Sequence, residues 1–139
     1  MQKILLTGIL LCTLSTPALA EESFGKAADN KLQKCTANAE NTLASVECYD
    51  VALAAWDAEL NNQYRLLLAN GSAEFKSAMK VSQVAWIAYR DAYIKAMQSD
   101  YRQRQGTIWG IIMSEARLRI TRDKAIELYK LRKSTDLGN

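Results

Sequence analysis

The chain has 139 residues, 49% of them hydrophobic, which is enough for one compact domain with a modest core and leaves no room for a second. Its formal net charge is only +3, and acidic residues are interleaved with the basic ones, so nothing in the charge pattern indicates a nucleic-acid partner. The chain contains no histidine, which excludes the usual general base and the Ser-His and Cys-His nucleophile arrangements.

The chain begins with a segment typical of a cleavable secretion signal. One positive charge at Lys3 precedes an apolar run over residues 4–14, a break at Pro17 and a small residue at the predicted cut after Ala20. The apolar run is shorter than the ~20 residues that cross a bilayer. We therefore predict that residues 1–20 are removed, that the mature protein does not insert into the membrane, and that it is periplasmic or secreted.

Two cysteines, Cys35 and Cys48, remain after the predicted cut. Paired thiols oxidise and persist outside the cytoplasm, so we predict one disulfide between them, contributing roughly 3 kcal/mol by restricting the unfolded chain. A metal site is the alternative, but with two sulfurs and no histidine it would need carboxylate ligands. We therefore expect neither a metal nor any other cofactor.

The mature chain is predicted to be helical from its first third onward. Residues 21–41 are irregular, and we expect one short helix near 27–34, joined to the next helix by the disulfide. A long helix should begin at Asn41 or Thr42, which can cap free backbone amides, and end before Asn70-Gly71. Its predicted buried face has apolar residues at alternating spacings of three and four: Val46, Tyr49, Leu53, Trp56, Leu60, Tyr64 and Leu67.

Two more long helices complete the prediction. The first of these should start at Ser72 and end between Tyr101 and Gln105. The last should run from Thr107 to about Lys133, which leaves residues 134–139 as a frayed tail. The short joints between these helices make neighbours antiparallel. The predicted fold class is all-α: an antiparallel bundle of three long helices, with a short N-terminal helix pinned by one disulfide.

Catalysis by paired carboxylates is the one enzymatic mechanism that this composition leaves open. The candidate pairs are Asp57 with Glu59 and Glu115 with Asp123. Asp57 and Glu59 lie two residues apart on a helix and so point to different faces. The sequence also lacks a glycine-rich phosphate loop. We predict that the protein is not an enzyme and has no catalytic residues.

Two polar clusters lie beside the apolar stripes. The first long helix carries Asp57-x-Glu59-Leu60-Asn61-x-x-Tyr64, and the second carries Gln83-x-x-Trp86-x-x-Tyr89-Arg90-Asp91. Residues three or four positions apart share one side of a helix, so each cluster forms a polar stripe next to the buried face. These are the most distinctive features of the mature sequence.

We interpret the two clusters as parts of one structural network. Arg90 is expected to reach across the bundle to Asp57 or Asn61, with Trp86 packing over the contact. Gln83 or Thr121 would then complete the hydrogen bonds. A buried network of this kind fixes helix register more than it adds stability, and we favour this interpretation over a ligand-binding role.

Together with the cysteine pair, these two motifs and Thr121-x-x-Lys124-Ala125-x-Glu127-Leu128 resemble the LprI-type lysozyme inhibitor family, over about residues 35–131. On this resemblance, residues 42–133 form a three-helix LprI-like domain. Family members often have a second cysteine pair, and here Ile94 and Ala116 occupy those positions. An apolar pair can pack where a disulfide stood, so we expect the fold to be kept with less covalent support.

The last motif departs from the family in one further position. Lys124 stands where the family usually has arginine, which keeps the charge but loses the planar fork needed for bidentate contacts.

The resemblance implies a periplasmic, non-enzymatic binding protein that inhibits lysozyme or a related wall-degrading enzyme. The alternative is an immunity or chaperone-like envelope protein that binds another periplasmic protein. Lysozymes of animals are basic, so binding would need a local acidic patch, for which Asp91, Asp100 and Glu115 are the candidates. The joint before the last helix, with Tyr101 and Trp109, is the other candidate partner surface. The protein is expected to be a monomer or a homodimer.

Overall fold

A computed structural model of the chain describes residues 23–136. Its regular elements are four α-helices: α1 (Lys26–Ala37), α2 (Thr42–Asn70), α3 (Ala73–Tyr101) and α4 (Ile108–Asp136). The predicted all-α fold, with three long helices, a short N-terminal helix and one disulfide, is confirmed. The predicted secretion signal at 1–20 lies outside the described residues. None of the described helices is long and apolar enough to span a bilayer.

The helix ends follow local capping chemistry. The side chain of Asn41 accepts a hydrogen bond from the backbone N of Ala44 at 3.0 Å, and Ser72 accepts one from the backbone N of Phe75 at 3.1 Å. Between α3 and α4, Gly106 has a φ of +99°, a conformation that favours glycine. α4 ends at Asp136, three residues beyond the end predicted from the sequence.

Helices α2 and α4 form the core of the molecule. They run parallel to each other. Their N-terminal ends meet at Thr42 and Thr107, whose Oγ1 atoms lie 3.1 Å apart. Towards their C-terminal ends, the Nε of Arg132 donates to Gln63 Oε1 at 2.8 Å. The buried cluster between them is apolar and consists of Ala52, Trp56, Leu60, Leu67, Leu118, Ala125 and Leu128.

Helix α1 and the turn before it close one side of this core. Phe24 stacks on Tyr129 with ring centroids 4.0 Å apart and meets the edge of Trp56. Gly25 has a φ of +74°, and a side chain there would overlap the indole of Trp56. The disulfide between Cys35 and Cys48 fixes the far end of α1 against α2. The predicted pinning of the short helix is therefore confirmed.

Helix α3 packs much less closely than its neighbours. Gln83 is its only buried residue, and its contribution to the core comes from the half-buried side chains of Phe75, Met79 and Trp86. Val81 and Val84, on the opposite side, are 69% and 61% exposed. Because α3 stands away from α2 and α4, a groove opens along one of its flanks.

Candidate functional site

The groove between α2, α3 and α4 has a volume of about 970 Å³ and is mostly lined by charged and polar side chains. Its α3 wall carries Arg90, Asp91 and Lys95, and the opposite walls carry Asp50 and Asp57 from α2, with Arg117 and Thr121 from α4. Each wall follows from sequence spacing, since residues four apart stack along one side of a helix.

Arg90 lies in this groove, but its partner differs from the one predicted. Its Nε donates to Asp91 Oδ1 at 2.9 Å, so the acid next to it in sequence neutralises it. The predicted packing of Trp86 is present, with the guanidinium 5.1 Å from the ring centroid. Among the described residues no ion pair joins Arg90 to Asp57, because α3 stands too far from α2 and a neighbouring acid is available.

Asp57 and Asn61 interact within α2 instead of across the bundle. The Asn61 side-chain amide donates to the Asp57 carboxylate at 3.2 Å and to the Asp57 backbone carbonyl at 2.9 Å. The groove is therefore left with carboxylates on its α2 wall and arginines on its other walls, without a direct bond between them. Of the predicted network, Asp57, Arg90 and Thr121 line this groove, but they do not bond to one another.

Glu59 faces the opposite side of α2 from the groove. Its Oε1 accepts a hydrogen bond from Gln63 Nε2 at 2.6 Å, and Gln63 in turn accepts from Arg132. Asp57 and Glu59 thus face different cavities, as their spacing predicts, and do not form a carboxylate pair. Glu115 and Asp123 are both exposed on α4, eight residues or roughly 12 Å apart along the helix.

Two polar residues of the last-helix motif are buried. Thr121 is 2% exposed and its hydroxyl donates to the carbonyl of Arg117 at 3.2 Å. Lys124 is 7% exposed, and its ammonium lies 2.8 Å from the carboxylate of Glu127. A buried ammonium needs a partner of this kind, because its desolvation is otherwise costly.

The remaining motif residues are divided among three environments. Tyr64 is half-buried and packs against the core. Gln83 is 8% exposed, and within residues 23–136 no donor reaches its Oε1, so this oxygen does not complete the network for which Gln83 or Thr121 was considered. Tyr89 is 59% exposed and stacks on Tyr93, with ring centroids 5.9 Å apart. Thus the motifs contribute to the core, the groove and the outer surface.

The joint between α3 and α4, residues 102–107, is exposed but held by several contacts. Tyr101 and Trp109 bracket it with ring centroids 5.3 Å apart, and the guanidinium of Arg104 lies 4.7 Å from the Trp109 ring. Arg104 also bonds Asp100 at 2.8 Å, and this hydrogen bond raises the pKa of the guanidinium. The indole nitrogen of Trp109 donates to the carbonyl of Gln105 at 2.9 Å.

The predicted acidic patch does not form in the described part of the chain. Asp91 is neutralised by Arg90 on the same helix, and Asp100 is neutralised by Arg104 of the joint. Glu115 lies elsewhere, near Tyr49 of α2. Burial raises the pKa of the Tyr49 phenol, and the negative charge of Glu115 raises it further.

One cluster was missed by the sequence analysis. Asp29 of α1 accepts a bidentate pair of hydrogen bonds from Arg122, the shorter at 2.7 Å, and a third from the indole nitrogen of Trp56 at 3.3 Å. The Arg122 guanidinium also lies 5.2 Å from the Trp56 ring centroid. The hydrogen bonds that Arg122 donates to Asp29 raise the pKa of its guanidinium. This cluster ties α1 to both core helices.

A comparison with models of protein families identifies the family to which this chain is related. The family model described as "Lysozyme inhibitor LprI" matches residues 33–128, which include the disulfide, the groove and the joint. The chain belongs to the LprI lysozyme inhibitor family. The predicted resemblance is therefore confirmed.

Two further proteins are similar to this LprI family member. Uncharacterized protein R02472 of Rhizobium meliloti (strain 1021) is 31% identical over 102 residues, which cover 64% of this chain and 72% of that protein. A crystal structure of an uncharacterized protein from Burkholderia thailandensis superposes with a TM-score of 0.71 at 24% identity, covering 76% of this chain and 53% of that one. The chain spans about half the length of that structure, and this likeness shows a shared fold.

Proposed function

We propose that this LprI protein is a periplasmic or secreted inhibitor of lysozyme, or of a related wall-degrading glycosidase, and that it acts by binding without catalysis. The family supports inhibition, and the candidate catalytic pair Asp57 and Glu59 is divided between two cavities. The observation that carries the proposal is the exposed, ordered and basic joint between α3 and α4.

The charge of the joint fits the cleft of a glycosidase. Such enzymes hold two carboxyl groups on either side of the bond that they cut, so the cleft is locally acidic even where the rest of the enzyme is basic. Arg102 is exposed, and no carboxylate within the described residues lies within salt-bridge distance of its guanidinium. Arg102 can therefore offer its full charge to those carboxyl groups. This replaces the acidic patch expected from the sequence.

The order within the joint favours binding. Gln103 donates to the carbonyl of Ser99 at 2.9 Å, and the hydroxyls of Thr107 and Thr42 tie the end of the joint to α2. A loop that is already held in one conformation loses less entropy on association. The contacts of Arg104 and Trp109 add to this preorganisation.

The test is a cell-wall lysis assay with several lysozyme types and increasing amounts of the purified mature protein. We expect dose-dependent inhibition by the wild type and at least about tenfold weaker inhibition by Arg102→Glu, because a repelling charge would then face the cleft. Arg119→Glu makes the same charge change at an exposed position on α4 and serves as the matched control.

The proposal has two parts, inhibition itself and the joint as the inhibitory surface, and different results would refute each of them. Undiminished lysis at large molar excess of wild type, for every lysozyme tested, would refute inhibition, and capture of partners from periplasm would then test the immunity or chaperone-like alternative. Inhibition by Arg102→Glu at wild-type strength would leave inhibition in place and refute the joint as its surface.

A further inference from the structure

The outer face of α3, directed away from the rest of the molecule, is apolar and has no partner within residues 23–136. Nine large hydrophobic side chains are exposed in this part of the chain and five of them are on α3, so the exposure is concentrated on one helix. The face consists of exposed residues along about five turns: Ala78, Val81, Val84, Ala85, Ala88, Tyr89, Ala92 and Ala96. Apolar surface concentrated in this way is typical of an interaction site.

The spacing on this face is that of a two-helix contact. Its central line has alternating steps of four and three residues, which is the repeat that keeps a seam facing a second helix. The line begins at Glu74, continues through apolar positions 78, 81, 85, 88 and 92, and ends at Lys95. The apolar seam is therefore bounded by opposite charges at its two ends.

These charges select a partner. We propose that the outer face of α3 binds the same face of a second copy of this chain, antiparallel, about a two-fold axis near Ala85. In that register Glu74 of each copy lies at the height of Lys95 of the other. In a parallel pair, Glu74 would instead face Glu74 of the other copy, and Lys95 would face Lys95.

A second pair of charges on one flank of the seam supports the same register. Lys80 and Asp91 are exposed and lie on the edge of the outer face that borders the groove, about five residues on either side of Ala85. An antiparallel two-fold brings Lys80 of one copy within reach of Asp91 of the other. Asp91 is 61% exposed and engages Arg90 through Oδ1, so its other oxygen is available. Two independent pairs therefore favour one register.

The size of the outer face limits the affinity that we expect for the dimer. One pair of helix faces buries less than the roughly 800 Å² per partner of a standard interface, so we expect a dissociation constant on the order of 10 μM. The small side chains along the seam let the two helices approach closely, while Val81 and Val84 supply most of the buried apolar area. The two α3–α4 joints would lie at opposite ends of the paired helices, about 48 Å apart, because α3 ends 16 residues beyond Ala85 in each copy.

The first experiment measures mass by sedimentation equilibrium of the purified mature protein from about 1 μM to 1 mM. We expect a dimer at the upper end. Val81→Glu should weaken association by at least about 100-fold, because the dimer would bury two unpaired charges. Val51→Glu is the matched control on α2, since Val51 is 72% exposed and lies outside the proposed interface. Circular dichroism checks that both variants fold.

The second experiment tests the register. Glu74→Lys and Lys95→Glu should each weaken the dimer about fivefold, and the double variant should restore it, because the two charges are exchanged across the axis. Ala85→Cys should form an intermolecular disulfide on mild oxidation, whereas Ala92→Cys should not, since position 92 faces position 78 in the antiparallel pair.

Three outcomes would overturn the proposal. These are a monomer throughout the concentration range, a dimer that is equally sensitive to Val51→Glu, and cross-linking through position 92 in place of 85. Association only with a different protein through this face would also overturn it, because the occupant proposed is a second copy.

Discussion

Helices α2 and α3 have the same length, 29 residues each, yet they have opposite roles in the molecule. Six residues of α2 are buried, against Gln83 alone on α3. α2 pairs closely with α4 along its whole length, whereas α3 stands apart and leaves a groove on one flank and an apolar face on its outer side. Packing, and not helix length, distinguishes the two.

This difference separates stability from recognition. The core of α2 and α4, closed by α1 and the disulfide, holds the fold without much help from α3. α3 carries the polar motif around Arg90, one end of the exposed joint and the apolar outer face. A helix that contributes little to the core is free to present side chains to partners, and its surfaces can change at small cost in stability.

The largest expected effect is on the core pair. Leu60→Ala, at a residue 2% exposed on α2, should lower the free energy of unfolding by roughly 2–5 kcal/mol through lost burial and the cavity left behind. Ile87→Ala on α3, 40% exposed, should lower it by less than about 1 kcal/mol. Urea unfolding measures both. Equal losses would contradict the division between core and presenting helices.

The buried face of α2 was predictable because its apolar residues recur along one side at spacings of three and four, although Val51 and Leu66 are exposed. α3 has apolar residues on two sides, and spacing alone does not tell which side packs: Phe75 and Met79 reach the core, while Val81 and Ile87 are exposed. The distance between α3 and its neighbours also cannot be derived from periodicity. For that reason Arg90 was predicted to reach Asp57 or Asn61, although its partner is the adjacent Asp91.

The side-chain contacts that tie α1 to the core could not be predicted from the sequence. Asp29 and Arg122 are 93 positions apart, and nothing in the local pattern of either residue marks the other as its partner. Their contact depends on how α1 crosses α2 and α4, which is a tertiary property. The disulfide between Cys35 and Cys48 was predictable, because chemistry and compartment restrict the pairing of two thiols.

A smaller effect tests whether α1 belongs to the stable region. Asp29→Asn removes the charge that Arg122 pairs with while keeping an acceptor for Trp56. Both charged side chains are 35% exposed, so we expect a loss of only about 1 kcal/mol in the free energy of unfolding. Asp50→Asn, at an exposed groove position on α2, is the matched control and should be nearly neutral. If the two variants unfold alike in urea, α1 contributes less to the core than its contacts indicate.

The smallest effect concerns Tyr49, where α2 approaches α4. Burial, and after it the charge of Glu115, raise the pKa of this phenol above its ordinary value of 10.0, so the folded protein holds the proton more tightly than the unfolded chain. The resulting stability is present in full below pH 10 and is lost as the pH rises through the folded pKa.

Ultraviolet titration of wild type and Tyr49→Phe isolates this phenol. Glu115→Gln should lower its pKa in part, because burial remains the larger cause, whereas Glu127→Gln on the same helix should leave it unchanged. A full return to the ordinary value in Glu115→Gln would mean that α2 and α4 do not shield this ring, and that their close packing ends before the joint.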